Sequence, residues 1–554
     1  MSFPKYLIPV IFSFLMIFNI YGQEDLQREV RVVKPYTPTL SDADKISLMP
    51  EFNDTVSLST DFQYSITPRK YSTNFRLDPI KPAKMVGLPL TRLYKSQFTL
   101  GLGNYTTPYA ELTINQLRDR RNALGLYAKH HSSSGRVKFI DVRENDFRVK
   151  APFSDNDLRL YGRKMFRRSA LEGGIGGGYN SWVYYGYNPV SDTLFEVDDN
   201  QQRIYTGEAN IRFHSTHPDS SHLNYDVEAK YYYLEDAYDF AEHGVDFDFM
   251  MGNFIGDWYA NIELGLDLFD RSDAFDTTNN HVIKINPEFS KASELWRFNV
   301  GLNSALDTKG GQTNLSLYPI ARFEFNIVKN VLIPYMGITG DKKVNSYRSL
   351  LEENPFIVPG LVAENEDHQI IGYLGLKGRY SSNMSFDFQA RYSRISYMNT
   401  FVNDPFYQNI RNQFIVDYED LDLFQAGAEV NWSPNKKFKF LLRGDYYDYG
   451  EEVYHKPEYE LTLNASYNLR DKILIDANLF YTGPRNALLQ YSGVEPETVE
   501  MDGFFDGNLT AEYRYTSLLS FFLRINNFSA SSYHKWYNYP VQRFQIMGGF
   551  SYAL

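Results

Sequence analysis

The chain has 554 residues, a formal net charge of −12 and no cysteine. The acidic balance argues against nucleic acid as a partner, because phosphate contacts need clustered lysine and arginine. Without cysteine, the chain cannot form disulfides, zinc–thiolate sites or an acylated lipoprotein terminus. The mean hydropathy is −0.43, and beyond the N-terminus no stretch offers the ~18 consecutive apolar residues of a helical membrane span.

The first 22 residues have the pattern of a secretory signal. Lys5 supplies a positive charge, residues 7–20 are almost wholly apolar, and Glu24 and Asp25 open a polar stretch. The apolar stretch is short for a membrane anchor. We therefore predict a signal peptide over 1–22.

Residues 23–95 differ in composition from the rest of the chain. They show little alternation and carry seven prolines: Pro35, Pro38, Pro50, Pro68, Pro79, Pro82 and Pro89. Proline fixes φ and cannot donate to a strand ladder, so this segment is predicted to be irregular and extended. We interpret it as a periplasmic arm that docks a partner protein, or as a partial filler of a barrel lumen.

From residue 96 onward the sequence alternates between apolar and polar positions. Between Tyr459 and Leu469 every odd position is apolar and every even position is polar. Period two indicates strands, and such strands have one apolar face and one wet face. Aromatic residues make up 16% of the chain, mostly Tyr and Phe, which is typical of the girdles of membrane barrels. We predict a transmembrane antiparallel β-barrel over 96–554, the alternative being a secreted array of β-sandwiches.

The strand spacing predicts about 22 strands. Their expected centres are 100, 112, 126, 160, 178, 208, 228, 246, 263, 285, 299, 318, 334, 373, 388, 426, 442, 463, 477, 510, 522 and 547. Connections after even-numbered strands are short, as at 433–436, whereas several after odd-numbered strands are long, as at 342–366 and 399–418. Outer-membrane barrels show this asymmetry, with short periplasmic turns and long extracellular loops. An even count would place both termini in the periplasm.

The predicted inward positions carry charges of both signs, which indicates a lumen crosslinked by ion pairs and water. The lumen-facing candidates are Glu111, Asp387, Arg391, Glu429, Arg443, Glu460, Asp476, Glu512 and Arg514. A lumen of about 22 strands would leak if it were empty. The 23–95 arm, the long loops or a separate protein must therefore fill it.

The other residue clusters that stand out in the sequence do not predict a phosphate-binding, metal or catalytic site. The glycine run 173–178 lacks the lysine and helix of a phosphate loop, so we interpret it as a bend, a bulge or a close contact inside a strand. His130 and His131 are adjacent on a strand and must point to opposite faces. No serine-hydrolase elbow or paired-histidine zinc motif occurs. We predict no enzymatic activity, no metal site and no cofactor.

The C-terminal region carries a family resemblance. Residues 519–528, Tyr533, Trp536, the Tyr539-Pro540 pair and a final strand with Gly548, Phe550 and Tyr552 resemble the last hairpin of TonB-dependent receptor barrels of the Bacteroidota type. Such barrels have 22 strands. In them the last strand is recognised by the barrel-assembly machinery, which implies a signal at Gly548, Phe550, Tyr552 and Leu554. The present chain departs by ending in leucine.

The resemblance also implies a globular plug domain before the barrel, and residues 23–95 are too few and too proline-rich to form one. The sequence therefore looks like a receptor barrel without its plug. We expect an outer-membrane protein, surrounded by lipid, that takes part in transport of a nutrient or other solute. The alternative is an accessory or scaffold subunit of an outer-membrane complex for secretion, barrel assembly or SusC/SusD-like uptake.

Overall fold

The computed structural model describes residues 94–116, 119, 121–138, 148–186, 200–217, 222–272, 277–328, 331–405, 413–490 and 495–554. The predicted signal peptide 1–22 and all but the last two residues of the predicted 23–95 arm lie outside the described residues. No helix among the described residues is both long and apolar enough to cross a membrane.

Strands dominate the described chain. They are β1 (Ser96–Gly103), β2 (Thr107–Asn115), β3 (Asn122–Ser133), β4 (Arg136–Lys138), β5 (Arg148–Lys150), β6 (Phe153–Met165), β7 (Ser169–Val183), β8 (Gln201–Ser215), β9 (Asn224–Glu235), β10 (Ala241–Ile255), β11 (Trp258–Ser272), β12 (Thr277–Ala292), β13 (Trp296–Lys309), β14 (Gln312–Phe325), β15 (Leu332–Lys343), β16 (Glu366–Ser381), β17 (Met384–Asn403), β18 (Phe414–Asn435), β19 (Phe438–Asp448), β20 (Tyr459–Leu469), β21 (Ile473–Thr482), β22 (Arg485–Leu489), β23 (Glu497–Met501), β24 (Phe504–Arg514), β25 (Leu519–Asn526), β26 (His534–Trp536), β27 (Tyr539–Pro540) and β28 (Gln545–Ala553). One helix is described, α1 (Tyr347–Glu353).

Twenty-two of these strands form one closed antiparallel sheet. Each pairs with its neighbour along the chain, and β1 pairs with both β2 and β28, which closes the barrel. The three remaining pairs, β4–β5, β22–β23 and β26–β27, are small separate hairpins. The predicted barrel and its strand count are confirmed, and every predicted strand centre falls inside a barrel strand.

The register preserves the alternation that predicted the strands. On β20 and β21, Leu463 lies opposite Leu479, and Asn464 lies opposite Asn478. The Asn478 amide donates to Asn464 Oδ1 at 2.7 Å, so polar side chains meet on one face while the leucines meet on the other. A one-residue slip would reverse both faces, so the pattern specifies the register.

The glycine run lies in β7 and carries no bulge, contrary to one of the interpretations above. Residues Ser169–Val183 pair in unbroken register with Gln201–Ser215. A Cβ added at Gly178 would lie 2.6 Å from Thr206 Oγ1. Close approach of a neighbouring side chain therefore explains at least this glycine.

The two ends of the barrel differ. Turns such as 256–257 and 382–383 form a short-turn end, where β1 begins and β28 ends. The opposite, long-loop end carries the three small hairpins and α1, which alternation did not predict. Residues 399–403 and 414–418 of the predicted connection 399–418 are strand instead, because β17 and β18 run for 20 and 22 residues.

Candidate functional site

The connection between β15 and β16, residues 344–365, contains α1. Ser346 caps the helix: its side chain accepts from the Ser349 backbone N–H, and the Ser349 side chain accepts from the Ser346 N–H. Reciprocal capping of this kind satisfies two of the donors that a helix start leaves unpaired. Tyr347, Leu350 and Leu351 are buried. A short helix with three buried apolar residues must pack against something, and it packs against the barrel.

Glu242 of β10 receives the start of α1. Its carboxylate accepts from the backbone N–H of Tyr347 at 2.9 Å and of Arg348 at 3.1 Å. The Tyr232 hydroxyl donates to the same carboxylate at 2.9 Å. Glu242 is 0% exposed. A buried carboxylate is tolerated because three donors and the positive end of the helix stabilise its charge.

Beyond α1 the segment contacts opposite sides of the barrel. The Trp182 indole N–H of β7 donates to the Pro355 carbonyl at 2.8 Å. The next residue, Phe356, accepts at 3.0 Å from the backbone N–H of Phe414 on β18. β7 and β18 are the fifth and sixteenth of the 22 barrel strands. Consecutive residues thus join strands half a circumference apart, which is possible only if the segment crosses the bore.

The remainder of the segment is bonded to strands between these two. Asn280 of β12 donates to the Asn345 carbonyl at 2.9 Å and exchanges amide hydrogen bonds of 2.8 Å with Asn365. Arg271 of β11 donates to the Leu361 carbonyl at 2.8 Å. These bonds tie both ends of the segment to the inner wall.

The hairpin β26–β27 packs onto the crossing segment from the other side. The Tyr539 ring stacks on Phe356 at 3.7 Å between centroids. Trp536 contacts Phe401 and Phe414 at 5.1 and 5.8 Å. These rings are the centre of a buried cluster that also includes residues of α1, β8, β9 and β11.

Arg485 of β22 fixes the same hairpin. Its Nη1 and Nη2 atoms donate to the carbonyls of Lys535 and His534 at 2.8 and 2.6 Å. Burial lowers the pKa of Arg485 to about 10. The guanidinium therefore remains charged at neutral pH while it holds β26.

The outer part of the β17–β18 hairpin completes the structure. The register of the two strands shifts between Ile395 and Met398, where Tyr397 has a φ of 60°. Bulges bend strands, and beyond this one residues 398–403 are all buried. We call residues 344–365, 398–403, 414–416 and 534–540 together the inner cap.

His455, in the loop between β19 and β20, joins two parts of the inner cap. Its Nδ1 lies 2.8 Å from the Phe401 carbonyl, and its Nε2 lies 3.3 Å from the Tyr537 backbone N–H. Nδ1 must therefore donate while Nε2 accepts, which is the neutral tautomer. Burial lowers the pKa of His455 to about 3.

The predicted lumen-facing residues lie in strands at several places around the barrel. Three lie on adjacent strands: Glu429 is directly opposite Arg443, and Glu460 is opposite Asp445, to which Arg443 Nε donates at 2.7 Å. Asp387 lies opposite Glu429 and accepts from the Tyr335 hydroxyl at 2.7 Å.

The remaining candidates are more dispersed. Arg391 is on β17, four residues after Asp387 and on the same face of the strand. Asp476 accepts from the Ser466 hydroxyl at 2.6 Å, and Arg514 Nε donates to Glu512 at 3.2 Å. Glu111 accepts from the Tyr109 hydroxyl and lies opposite Lys129. Asp387, Glu429, Arg443 and Glu460 therefore form one row across β17 to β20, and the other candidates lie outside that row.

The proposed assembly signal lies in and just after β28. Phe550 is opposite Leu100 of β1 and Phe521 of β25, and Gly548 and Tyr552 have the same orientation in the register. The Leu554 carbonyl accepts from the Ser96 N–H at 3.1 Å, at the seam of the barrel.

Several acidic side chains in or near the long loops form ion pairs within the protein. Asp270 bonds to His281, Glu364 to Lys309 and Glu366 to Lys343. In the described part of the chain, no group of three His, Asp or Glu side chains is placed to hold a metal ion.

Sequence reasoning missed the inner cap, although one signal was present. The loops 344–365 and 527–544 carry many apolar and aromatic residues, among them Phe356, Ile357 and Trp536. Exposed loops have little reason to carry such residues, so their density could have indicated a core formed between loops.

No protein-family model and no curated protein matches the sequence. Solved structures do match in fold. The FrpB iron transporter from Neisseria meningitidis (F3-3 variant) aligns with a TM-score of 0.65 at 8% identity, over 84% of this chain and 82% of that one. The copper transporter OprC aligns at 0.62 and 11% identity, over 84% and 81%. The pyoverdine outer membrane receptor FpvA from Pseudomonas aeruginosa PAO1 aligns at 0.61 and 11%, over 84% and 79%. The chain therefore shares with these proteins the fold of a closed, 22-strand transmembrane antiparallel β-barrel.

Proposed function

We propose that this protein is a non-enzymatic outer-membrane barrel that takes part in the transport of a solute, and that its inner cap is the gate. The observation that carries the proposal is a closed 22-strand barrel with the fold of iron and copper transporters. The solutes in the names of those proteins differ, so none is carried over to this chain.

In this proposal the polar face of the wall lines an aqueous bore. It includes the nine candidates from Glu111 to Arg514. The short-turn end, with both ends of the barrel segment, faces the periplasm, and the long-loop end faces outward. Residues 1–22 direct export, and residues 548–554 are recognised by the barrel-assembly machinery.

A gate that crosses the bore must move before solute can pass. The stacked Phe356–Tyr539 pair lies where the crossing segment meets the β26–β27 hairpin. Truncating one ring in a core of this kind costs about 3–5 kcal/mol. This contact is therefore the place to open the gate by mutation.

The test is ion conductance of the purified protein in planar bilayers. We expect the unmodified barrel to conduct little and Phe356→Ala to conduct several-fold more. Phe440→Ala is the matched control, because Phe440 packs against Trp432 on the barrel wall and not against the inner cap. Resistance to dissociation on unheated gels would show that each variant still forms a barrel. Equal, negligible conductance from three intact barrels would contradict transport through this bore.

The firmly bonded inner cap also supports the second candidate, a non-transporting scaffold subunit of an outer-membrane complex. In that case the 23–95 arm would dock a periplasmic or outer-membrane partner. Deleting residues 24–90 would then remove a stoichiometric partner from mild-detergent purifications and leave permeability unchanged. If the arm instead fills the lumen, the same deletion would raise permeability.

A further inference from the structure

A cavity of about 450 Å³ lies between the inner wall and α1. Residues of β3, β6, β7 and β8 line one side, and Arg348, Leu351 and Glu352 line the other. The volume is within the range of small-molecule sites, which are usually concave and carry a few placed polar groups. Because both the wall and the inner cap line the cavity, a solute bound there would contact both.

The guanidinium groups of Arg159 and Arg348, which line the cavity, already form ion pairs within the protein. Arg348 Nη2 lies 3.5 Å from Glu208 Oε2, and Arg348 Nε lies 3.0 Å from Glu352 Oε1. Arg159 pairs with the other oxygen of Glu208. These four side chains form an internally neutral chain of ion pairs, so neither arginine is available for an anionic solute.

Two carboxylates of the cavity, Asp155 and Asp157, share one lysine, because Lys129 lies directly opposite Asp157 in the register. Asp155 pairs with Lys129 at 2.7 Å. Asp157, two residues along on the same strand and also lining the cavity, has no hydrogen bond or ion pair to any residue in the described part of the chain. Two carboxylates beside one lysine leave this side of the cavity with an excess of negative charge, which favours a cationic ligand.

The remaining wall is aromatic and apolar. Tyr127 and Trp182 line the cavity, with Ile204 and Leu234 beside them. The Trp182 N–H is already bonded to Pro355, so the ring offers its surface and not its donor. Aromatic faces attract organic cations and cover apolar groups.

We propose that this cavity binds a small organic cation with an aromatic or other apolar body. Its ammonium group pairs with Asp157, and its body packs against Tyr127 and Trp182. The inference rests on the proposed transport function and names the class of solute. The proposal also gives a role to the glycine run. Gly178 lies opposite Asp157 in the register, and without a side chain it leaves space in the cavity beside that carboxylate.

The test is ligand-observed NMR on the intact barrel in detergent, with benzylammonium as the probe and benzyl alcohol as its neutral analogue. We expect saturable binding of benzylammonium, at least ten-fold weaker binding of benzyl alcohol, and at least a ten-fold loss in Asp157→Asn. Asp257→Asn is the control, since this carboxylate lies in the turn between β10 and β11, pairs with Lys291 and does not line the cavity. It should bind benzylammonium as the unmodified protein does.

Equal binding of the two probes, equal loss in both variants, or no saturable binding would overturn the proposal. Unheated gels and the conductance of the same preparations separate this outcome from failure of the proposed function. If the barrel conducts after Phe356→Ala but binds no benzylammonium, the proposed transport function would stand and only the proposal of a cationic solute would be refuted.

Discussion

The barrel wall and the inner cap are built from the same chain on different principles. In β28 the exposure of successive residues alternates without interruption, as expected for a strand with a different environment on each face. In residues 398–403 six consecutive positions are buried. The wall therefore meets lipid on one side and the bore on the other, whereas residues 398–403 of the inner cap meet protein on both sides.

The two regions also differ in the contacts that stabilise them. The wall is a closed ladder of backbone hydrogen bonds, shortest between β14 and β15, where four residue pairs are in register, and closure leaves no free edge. The inner cap is held by side-chain bonds, stacked rings and a few carbonyl contacts. Regions held in this way open locally at lower free energy than the ladder. Mutations should therefore divide into those that free the cap and those that damage the wall.

The largest effect is expected from Glu242→Ala. Three buried donors would lose their acceptor, at about 1–3 kcal/mol each, so we expect the inner cap to be destabilised by roughly 4 kcal/mol. Limited proteolysis should then cut within 344–365 while the barrel stays intact on unheated gels. The matched change Glu429→Ala should leave this segment protected. Cleavage in neither variant would show that Glu242 does not hold the cap.

A comparable effect on the wall is expected from Leu463→Arg. An arginine on the lipid face near the membrane midplane costs about 2–4 kcal/mol. Asn464→Arg, one position along on the opposite face, should cost much less. Urea denaturation in lipid vesicles would compare the two. Equal losses, or a larger loss for Asn464→Arg, would mean that the faces have been assigned the wrong way round.

Low pH should lower the stability of the inner cap and leave the stability of the barrel wall unchanged. The pKa of His455 is about 3 in the folded cap and about 6.5 when the residue is exposed. The opened state therefore binds the proton first, and stability is lost as pH falls below about 6.5. Between pH 7 and pH 5 the loss should be about 2 kcal/mol.

Conductance measured at pH 7 and pH 5 tests this linkage. It should rise at pH 5 in the unmodified protein. In His455→Asn, which can still donate to the Phe401 carbonyl but does not titrate, the rise should be absent. An equal acid response in both proteins would assign the effect to another group.

The smallest effect is expected from Arg514→Ala. Its ion pair with Glu512 leaves 45% of the Arg514 side chain exposed, and pairs of this kind contribute less than ~1 kcal/mol. Urea denaturation should detect little change. A loss of several kcal/mol would mean that ion pairs of the wall contribute as much as the contacts of the cap.

The contrast also explains what could be predicted from the sequence. Strands such as β20 and β21 have an apolar and a polar face, and this is visible as alternation at 459–481. The outer part of β17 is buried on both sides, so alternation stops there and the sequence predicts a loop. Pro355 and Phe356 contact residues of β7 and β18. No local sequence pattern indicates which barrel strands a loop will contact. The lumen-facing residues remain a prediction from alternation.

The seam of the barrel has a consequence for biogenesis. Thr99 Oγ1 and Ser551 Oγ are 2.8 Å apart, although 452 positions separate them along the chain. One edge of β1 therefore stays unpaired until β28 pairs with it. Closing the long loop between these two strands is slow because of its entropic cost. The inner cap also needs residues 534–540. Every earlier intermediate therefore has two open edges and an uncovered bore, which makes chaperoned, post-translational insertion the physically reasonable route.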